Sequence, residues 1–250
     1  MAARRTPRSL PGALLALALA CSGCGDDGAP DDAAASSGAT PGVDPFCATR
    51  PVLGFCEDFD EAPLPGAFAE STADGATLAV DGAESASPPS SLLVAMQGGA
   101  ASGTLFADFE PSRKLRFFGQ LHIDAVPEGS GDVRVASFSY ESLDVPYEVG
   151  FGFDASGKGF VYQARAGVEE VRAGGEVALP EKPWVSVRLN VDFAEDGTGK
   201  VALRFGEDVV AESAALTPPA AELGARATVG LRGDSGVWQV RFDNLTVETE

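Results

Sequence analysis

The feature that most constrains this fold is a strict alternation of apolar and polar side chains along several short stretches. It is clearest over residues 184–193, where one parity carries Val185, Val187, Leu189, Val191 and Phe193 and the other carries Ser186, Arg188, Asn190 and Asp192. Successive side chains of a β-strand point to opposite faces of the sheet, so this pattern predicts a strand with one buried face and one solvated face. Helical spacing of apolar residues is nearly absent from the chain.

The same alternation recurs elsewhere, over residues 116–124, 147–153, 160–166 and 200–205. Segments rich in turn-forming residues separate these stretches, as in AEDGTG at 194–199. No pattern of helix length lies between the strands, which argues against parallel strands joined by helices. The sequence therefore predicts an all-β protein, an antiparallel two-sheet β-sandwich.

The last stretch, residues 236–248, has an irregular parity. Trp238, Val240 and Phe242 share one parity, whereas Leu245 and Val247 have the other. A strand changes the face that it presents only where an extra residue is inserted, so we predict a bulge or kink at Asp243-Asn244. Loss of the strand at that point is the alternative.

The N-terminus has the organisation of an export signal. Three arginines precede an apolar run at 10–20, which has the length of a signal-peptide core and is short for a bilayer span. The segment ending Ala18-Leu-Ala-Cys21 resembles the lipobox of bacterial lipoproteins, whose cysteine is acylated and becomes the first mature residue. The resemblance implies an envelope protein anchored by a lipid on Cys21, at the outer membrane. Acylation of Cys24, or simple secretion, is the alternative.

Composition divides the rest of the chain. Residues 21–45 consist mainly of Gly, Ala, Ser, Pro and Asp, cannot bury enough apolar surface to fold, and are predicted to form a flexible tether. Residues 46–250 have a globular composition and are predicted to form the single folded domain, after the signal peptide at 1–20. The formal net charge of −19 argues against nucleic acid as a partner and leaves the N-terminal lipid as the route to a membrane.

Two cysteines flank a short loop at the start of the domain. Cys47 and Cys56 are nine residues apart, and in an oxidising compartment we expect them to form a disulfide. A zinc site at Cys21 and Cys24 is disfavoured because it needs four ligands, and the chain has a single histidine and only two other cysteines, at least 23 residues away.

Four segments carry a resemblance to a known family. FCEDFD at 55–60, SPPSSLLV at 87–94, the strand at 184–193 and FDNLTV at 242–247 together resemble concanavalin A-like lectin/glucanase domains, a jelly-roll family that includes laminin-G-like modules. The resemblance implies two stacked antiparallel sheets with the first and last strands side by side. It also implies a face on which relatives bind glycans or cleave them.

The hydrolases of that family carry Glu-x-Asp-x-Glu on one strand, and this chain lacks that pattern. The nearest match begins at His122 and Asp124, with histidine where the nucleophile should stand. We therefore expect a non-catalytic, carbohydrate-binding module. A structural or protein-interaction domain of the envelope, or a glycan-active enzyme with an atypical site, is the alternative.

Specific residues follow from these expectations. The family resemblance implies a structural Ca²⁺ held by Asp243 with Glu57, Asp58 and Asp60, and the alternative is that these acids cap strand ends and turns. Phe118, Gln120 and His122 share one parity and are candidate glycan contacts, with an ordinary surface role as the alternative. Tyr140 and Tyr162 are weaker candidates for sugar stacking, for which packing is the favoured explanation. Arg232-Gly-Asp234 is explained by a turn before the last strand.

Overall fold

The computed structural model describes residues 46–49, 54–60, 69–110, 112–125, 131–141, 145–180, 183–216, 224–234 and 236–250. Across these residues the protein is built from fifteen strands and one turn of 3₁₀ helix, Phe46–Thr49, and has no α-helix. The predicted all-β class is therefore confirmed. No helix within the described ranges is long and apolar enough to cross a membrane. The predicted signal peptide and tether, with Cys21 and Cys24, lie outside the described residues.

The strands are short and follow one another closely. They are β1 (Phe55–Glu57), β2 (Ala69–Ala73), β3 (Ala76–Asp81), β4 (Ser91–Gln97), β5 (Ala101–Phe109), β6 (Lys114–Ala125), β7 (Val133–Glu141), β8 (Tyr147–Phe153), β9 (Lys158–Arg165), β10 (Val168–Ala178), β11 (Val185–Phe193), β12 (Gly199–Phe205), β13 (Asp208–Leu216), β14 (Gly224–Gly233) and β15 (Val237–Thr249).

The strands form two sheets in which neighbours run antiparallel. The first sheet has the order β13-β12-β11-β6-β15-β4-β3, with β1 paired to β15. The second sheet has the order β10-β9-β8-β7-β14-β5-β2. Most neighbours across the middle of each sheet are far apart in sequence, so the sandwich is held together by long-range pairings such as β6 with β15 and β7 with β14.

The core lies between the sheets, and the alternation in the sequence decides which side chains enter it. On β11 the parity that begins at Val185 is buried, as predicted, and its partners on β12 are Val201, Leu203 and Phe205. From the second sheet β8 contributes Tyr147 and Phe151, and Tyr147 packs its ring against Phe193 at 6.0 Å.

The first and last strands meet, as the resemblance implied. Phe55 pairs with Val247, and the Cys47–Cys56 disulfide closes the segment leading into β1, which confirms that prediction. The predicted bulge is also confirmed, because the register of β15 against β6 shifts between Asp243 and Thr246. Asn244 has a φ of 52°, a conformation that Asn tolerates better than most residues.

Candidate functional site

Four polar side chains from four strands meet on the outer face of the second sheet. They are Arg134 of β7, Glu148 of β8, Tyr162 of β9 and Arg232 of β14, and we refer to them as the Glu148 cluster. Their strands are adjacent in the sheet, in the order β9-β8-β7-β14.

Strand parity places these side chains on the outer face. Tyr147 and Val149 point into the main core, so Glu148 between them points away from it. On β9 the same rule puts Val161 inside, whereas Tyr162 belongs to a small separate cluster with Phe160 and Ala164.

A glycine makes room for the cluster beside Tyr162. Gly150 is paired with Ser137 on one side and with Tyr162 on the other. A Cβ atom at this position would lie 2.4 Å from the carbonyl oxygen of Ala136 and 2.8 Å from the Cβ of Ser137. Only glycine therefore allows β7 and β8 to approach this closely next to Glu148.

The Glu148 carboxylate is the centre of the contacts. Its Oε2 lies 3.3 Å from Nη1 of Arg134, and its Oε1 accepts hydrogen bonds from Nη2 of Arg232 and, at 2.7 Å, from the hydroxyl of Tyr162. The guanidinium carbon of Arg134 also lies 4.3 Å from the centre of the Tyr162 ring, a cation–π distance. The side chain of Glu148 is 16% exposed and that of Arg232 is 44% exposed.

The electrostatics of the cluster follow from these contacts. Burial raises the pKa of Glu148, but Arg232, the Tyr162 and Ser137 hydrogen bonds and Arg134 together outweigh it, so that the pKa lies below its usual value of 4.5. Burial and the neighbouring Glu148 charge raise the pKa of the Tyr162 phenol. At neutral pH the cluster therefore contains an ionised carboxylate and a phenol that keeps its proton.

The two arginines of the cluster differ in how they are paired. Arg232 and Arg134 are directly opposite each other in the register of β14 and β7, a placement in which like charges repel. Glu148 lies between the two guanidinium groups, and Arg134 has a second carboxylate, that of Glu169, at 3.9 Å. Arg232 is the more exposed of the two, and its exposed side offers an incoming carboxylate the bidentate geometry of a guanidinium group.

Aromatic rings on this face are covered by arginines and do not form an open platform. Tyr162 is fully buried beneath Arg134, and Arg172 lies 3.7 Å above the ring of Phe160. Tyr140 is buried between the sheets, 5.8 Å from Tyr147. Both tyrosines therefore pack as the favoured explanation predicted.

The candidate glycan contacts from the sequence lie on the other sheet. Phe118, Gln120 and His122 are on β6 and share the outer face of the first sheet, half-buried. Phe118 stacks on Phe46 with ring centres 6.2 Å apart and lines a groove of about 410 Å³ together with Arg188. Their role as ligand contacts stays a prediction.

The carboxylate oxygens of the predicted calcium ligands accept hydrogen bonds from backbone N–H groups. Asp243 is fully buried, and its carboxylate accepts the backbone N–H groups of Ala86, Ser87 and Asn244 at 2.7–2.8 Å. Burial, only partly offset by these hydrogen bonds, raises its pKa to about 6.

The other three acids also accept backbone N–H groups, as the capping alternative predicted. Glu57 accepts the N–H of Phe59 at 2.9 Å, Asp58 that of Cys47 and Asp60 that of Ser90. Within the described residues no three of the four predicted ligands have carboxylate oxygens within 4.8 Å of one another. A calcium ion here would need backbone carbonyl oxygens as well, and the calcium hypothesis stays a prediction.

Comparisons with known proteins agree with this architecture. No family model and no characterised relative matches the sequence. Among solved structures, the chain is similar to an endo-β-1,4-glucuronan lyase from the fungus Trichoderma reesei, with 14% identity and a TM-score of 0.58 over 78% of this chain and 95% of the other. It shares the sandwich fold of carbohydrate-active proteins.

Two further structures support that statement. The cellulose induced protein Cip1 has 13% identity and a TM-score of 0.58, over 78% of this chain and 97% of its own. A mutant of the alginate lyase Aly36B in complex with alginate trisaccharide has 11% identity and a TM-score of 0.52, over 80% and 99%. These likenesses support the two-sheet β-sandwich fold, and the chemistry of the site has to be argued from its own residues.

The sequence did not single out the Glu148 cluster. Arg232 drew attention only as part of a turn tripeptide, and Glu148 only as the polar side of an alternating strand. One signal in the sequence could have indicated Glu148. In residues 147–153 the side chains that face the core are all aromatic or branched, and Glu148 is a charged side chain on the opposite, outward face. That signal marks a candidate residue without saying which other residues it meets.

Proposed function

We propose that this protein is a non-catalytic, extracytoplasmic module that binds an acidic polysaccharide on the outer face of its second sheet. A lipid on Cys21 and the segment 21–45 would tether the domain at the bacterial outer membrane. The observation that carries the proposal is Glu148 held between Arg134 and the more exposed Arg232.

The ligand class follows from the charge of the cluster. Arg232 pairs with Glu148 and still exposes 44% of its side chain, so an incoming uronate carboxylate can reach a guanidinium group in a protein whose net charge is −19. Arginine binds carboxylates through two parallel N–H donors, which gives both strength and orientation. Glucuronan and alginate, named for two of the structural neighbours, are therefore the first polysaccharides to use as probes.

The non-catalytic part of the proposal rests on proton transfer. Cleavage of a uronate polymer by elimination requires a base that removes the proton next to the carboxylate, with a pKa suited to the working pH. Burial raises the pKa of Tyr162 and the ring lies beneath Arg134, whereas the pKa of Glu148 is lowered. The single histidine of the chain, His122, is on the other sheet.

A groove on the first sheet is the competing binding site. It contains Phe118, which offers an apolar ring to a sugar face, but its charges do not favour an acidic ligand. Arg116 is paired with Asp192 at 2.6 Å, and Glu248 also lines the groove. This groove suits a neutral glycan.

Affinity electrophoresis in gels containing polyglucuronate, alginate or a neutral β-glucan tests the proposal. We expect wild-type protein to be retarded by the acidic polymers, and Arg232→Ala to weaken that binding about 10–100-fold, the cost of removing a charged hydrogen-bond donor. Arg226→Ala is the matched control, because Arg226 is a similarly exposed arginine on the same face that is paired with Asp108 at 2.6 Å. It should leave binding unchanged.

Each other outcome has a definite meaning. If Phe118→Ala abolishes binding while Arg232→Ala does not, the site is the groove of the first sheet and the present assignment is wrong. If no polymer retards the wild-type protein, the interaction-domain alternative replaces the glycan proposal. Appearance of the ultraviolet absorbance of an unsaturated product during incubation with polyuronate would show that the protein is a lyase.

A further inference from the structure

Three potential metal ligands lie close together on the outer face of the first sheet, near the C-terminal end of β6. His122 and Asp124 are two residues apart on β6 and therefore point to the same side, and Glu84 comes from the loop that follows β3. The Nδ1 atom of His122 lies 2.9 Å from Oε2 of Glu84 and 3.5 Å from Oδ1 of Asp124. Each residue offers one ligand atom, and these atoms all lie within 4.8 Å of one another.

The direction of the contact between His122 and Glu84, not its distance, differs from that of a hydrogen bond. Nδ1 of His122 is buried and has no hydrogen-bond partner among the described residues, although a carboxylate oxygen is 2.9 Å away. An N–H donor needs its acceptor close to the N–H axis, and the Glu84 oxygen is not placed there. The imidazole nitrogen and the two carboxylate oxygens are nevertheless close enough together to bind one metal ion.

The separations fit a small divalent cation. Zinc bonds of about 2.0–2.2 Å to nitrogen and oxygen place neighbouring donor atoms of a tetrahedral site about 3.3–3.5 Å apart. The 3.5 Å distance from Nδ1 to Asp124 lies in that range, and the exposed side chain of Glu84, at 2.9 Å, would move outwards by a few tenths of an ångström to admit the ion. A ligand set with imidazole suits zinc and its first-row neighbours, whereas calcium takes oxygen ligands.

The surroundings orient two of the three ligands. Nε of Arg241 donates to Oδ2 of Asp124 at 3.2 Å, which fixes this carboxylate and leaves its Oδ1 directed towards His122. Arg241 is itself held by Asp81 at 2.7 Å. The ring of Trp184 packs on the imidazole with centres 5.6 Å apart. Supporting contacts of this kind are a regular part of metal sites.

We propose that Glu84, His122 and Asp124 bind a first-row divalent metal ion of the zinc type. Three protein ligands leave a fourth position for water, and the 54% exposed side chain of Glu84 provides the opening through which the ion enters. The site is on the opposite sheet from the Glu148 cluster and shares no residue with the predicted calcium ligands, so it stands independently of the proposed function.

The single histidine allows a direct test. In the untagged full-length chain, the imidazole C–H signals in an NMR spectrum belong to His122 alone. We expect Zn²⁺ to shift these signals with one-to-one stoichiometry, because the metal binds directly to the imidazole nitrogen. Glu84→Gln and Asp124→Asn should each weaken the zinc response at least about tenfold.

A matched control separates this site from general binding to an acidic surface. Glu248 is an exposed acid on the same sheet, and Glu248→Gln should leave the zinc response unchanged. Zinc held by the thiol of Cys24 would leave the imidazole signals where they are. The proposal is overturned if a large excess of zinc does not move these signals, or if Glu84→Gln and Glu248→Gln change the response equally.

Discussion

Glu148 lies where two arginines from neighbouring strands would otherwise repel each other. Its carboxylate joins Arg134 to Arg232 and also accepts the hydroxyl proton of Tyr162 in a hydrogen bond. Loss of the Glu148 carboxylate should lower stability, because Arg232 and Arg134 would then lose the negative charge that lies between them.

Replacing Glu148 with Gln should make stability less dependent on pH. The pKa of Glu148 is lowered in the fold, so its contribution is complete above the unfolded value of 4.5 and is lost as the pH falls through the folded value. We expect Glu148→Gln to lower the free energy of unfolding by about 1–3 kcal/mol at neutral pH. The difference in free energy between wild type and variant should become smaller as the pH falls below 4.5. Denaturant unfolding at a series of pH values measures both.

An exposed carboxylate provides the comparison. Glu195 lies in the loop between β11 and β12, and Glu195→Gln should change neither the stability nor its pH dependence. A constant difference between wild type and Glu148→Gln at all pH values would contradict the assignment of this ionised group.

Asp243 fastens the loop after β3 to the bulge of β15. Asp243→Ala leaves the N–H groups of Ala86, Ser87 and Asn244 without their acceptor, and we expect it to lower the free energy of unfolding by about 2–4 kcal/mol. Ser87→Ala removes only the hydroxyl contact and should cost about 0.5–1.5 kcal/mol. Equal stability of Asp243→Ala and wild type in denaturant unfolding would show that the loop is held by other contacts.

At the scale of elements, the pairing of β7 with β8 depends on a missing side chain. Gly150→Ala places a methyl group against the carbonyl oxygen of Ala136, and backbone cannot move aside as a flexible side chain does. We expect Gly150→Ala to lower the free energy of unfolding by about 1–3 kcal/mol. It should also weaken binding of acidic polymer, because Glu148 is on the same strand and would be displaced with it. Gly82→Ala, whose nearest neighbour would be 3.3 Å away, should cost less. The reverse order would be evidence against this account of the strand pair.

The bulge in β15 inserts one extra residue, and this residue lets apolar side chains of both parities reach the same core. Before it, Trp238 and Phe242 enter the core, and after it Leu245 and Val247 do so. The shift also turns Asp243 towards the loop after β3. A strand without the bulge would bury only one of these apolar sets.

At the scale of the whole molecule, the proposed lipid anchor on Cys21 would determine where the sandwich works. We expect Cys21→Ala to abolish incorporation of labelled fatty acid and to move the protein from the membrane fraction to the soluble fraction, since acyl chains supply the hydrophobic attachment. Cys24→Ala should do neither. Unchanged labelling of Cys21→Ala, with loss of labelling in Cys24→Ala, would assign the lipid to the second cysteine.

The sequence by itself determined the layers of this protein. Strand parity, which is a local property, predicted the inner faces of β6, β8, β11 and β12, and the reversal of parity predicted the bulge at Asp243. The nine-residue spacing of Cys47 and Cys56 was likewise sufficient to predict their disulfide.

Only the tertiary structure decided which outward residues become neighbours. Strand parity predicts that Arg134, Glu148 and Arg232 point away from the core. It does not predict that β14 lies beside β7, about a hundred residues away in the chain. In the same way Glu84 reaches His122 only because the loop after β3 and the C-terminal end of β6 meet in the folded protein. Both candidate sites thus depend on long-range pairings, which are set by the packing of the whole core and which no local pattern encodes.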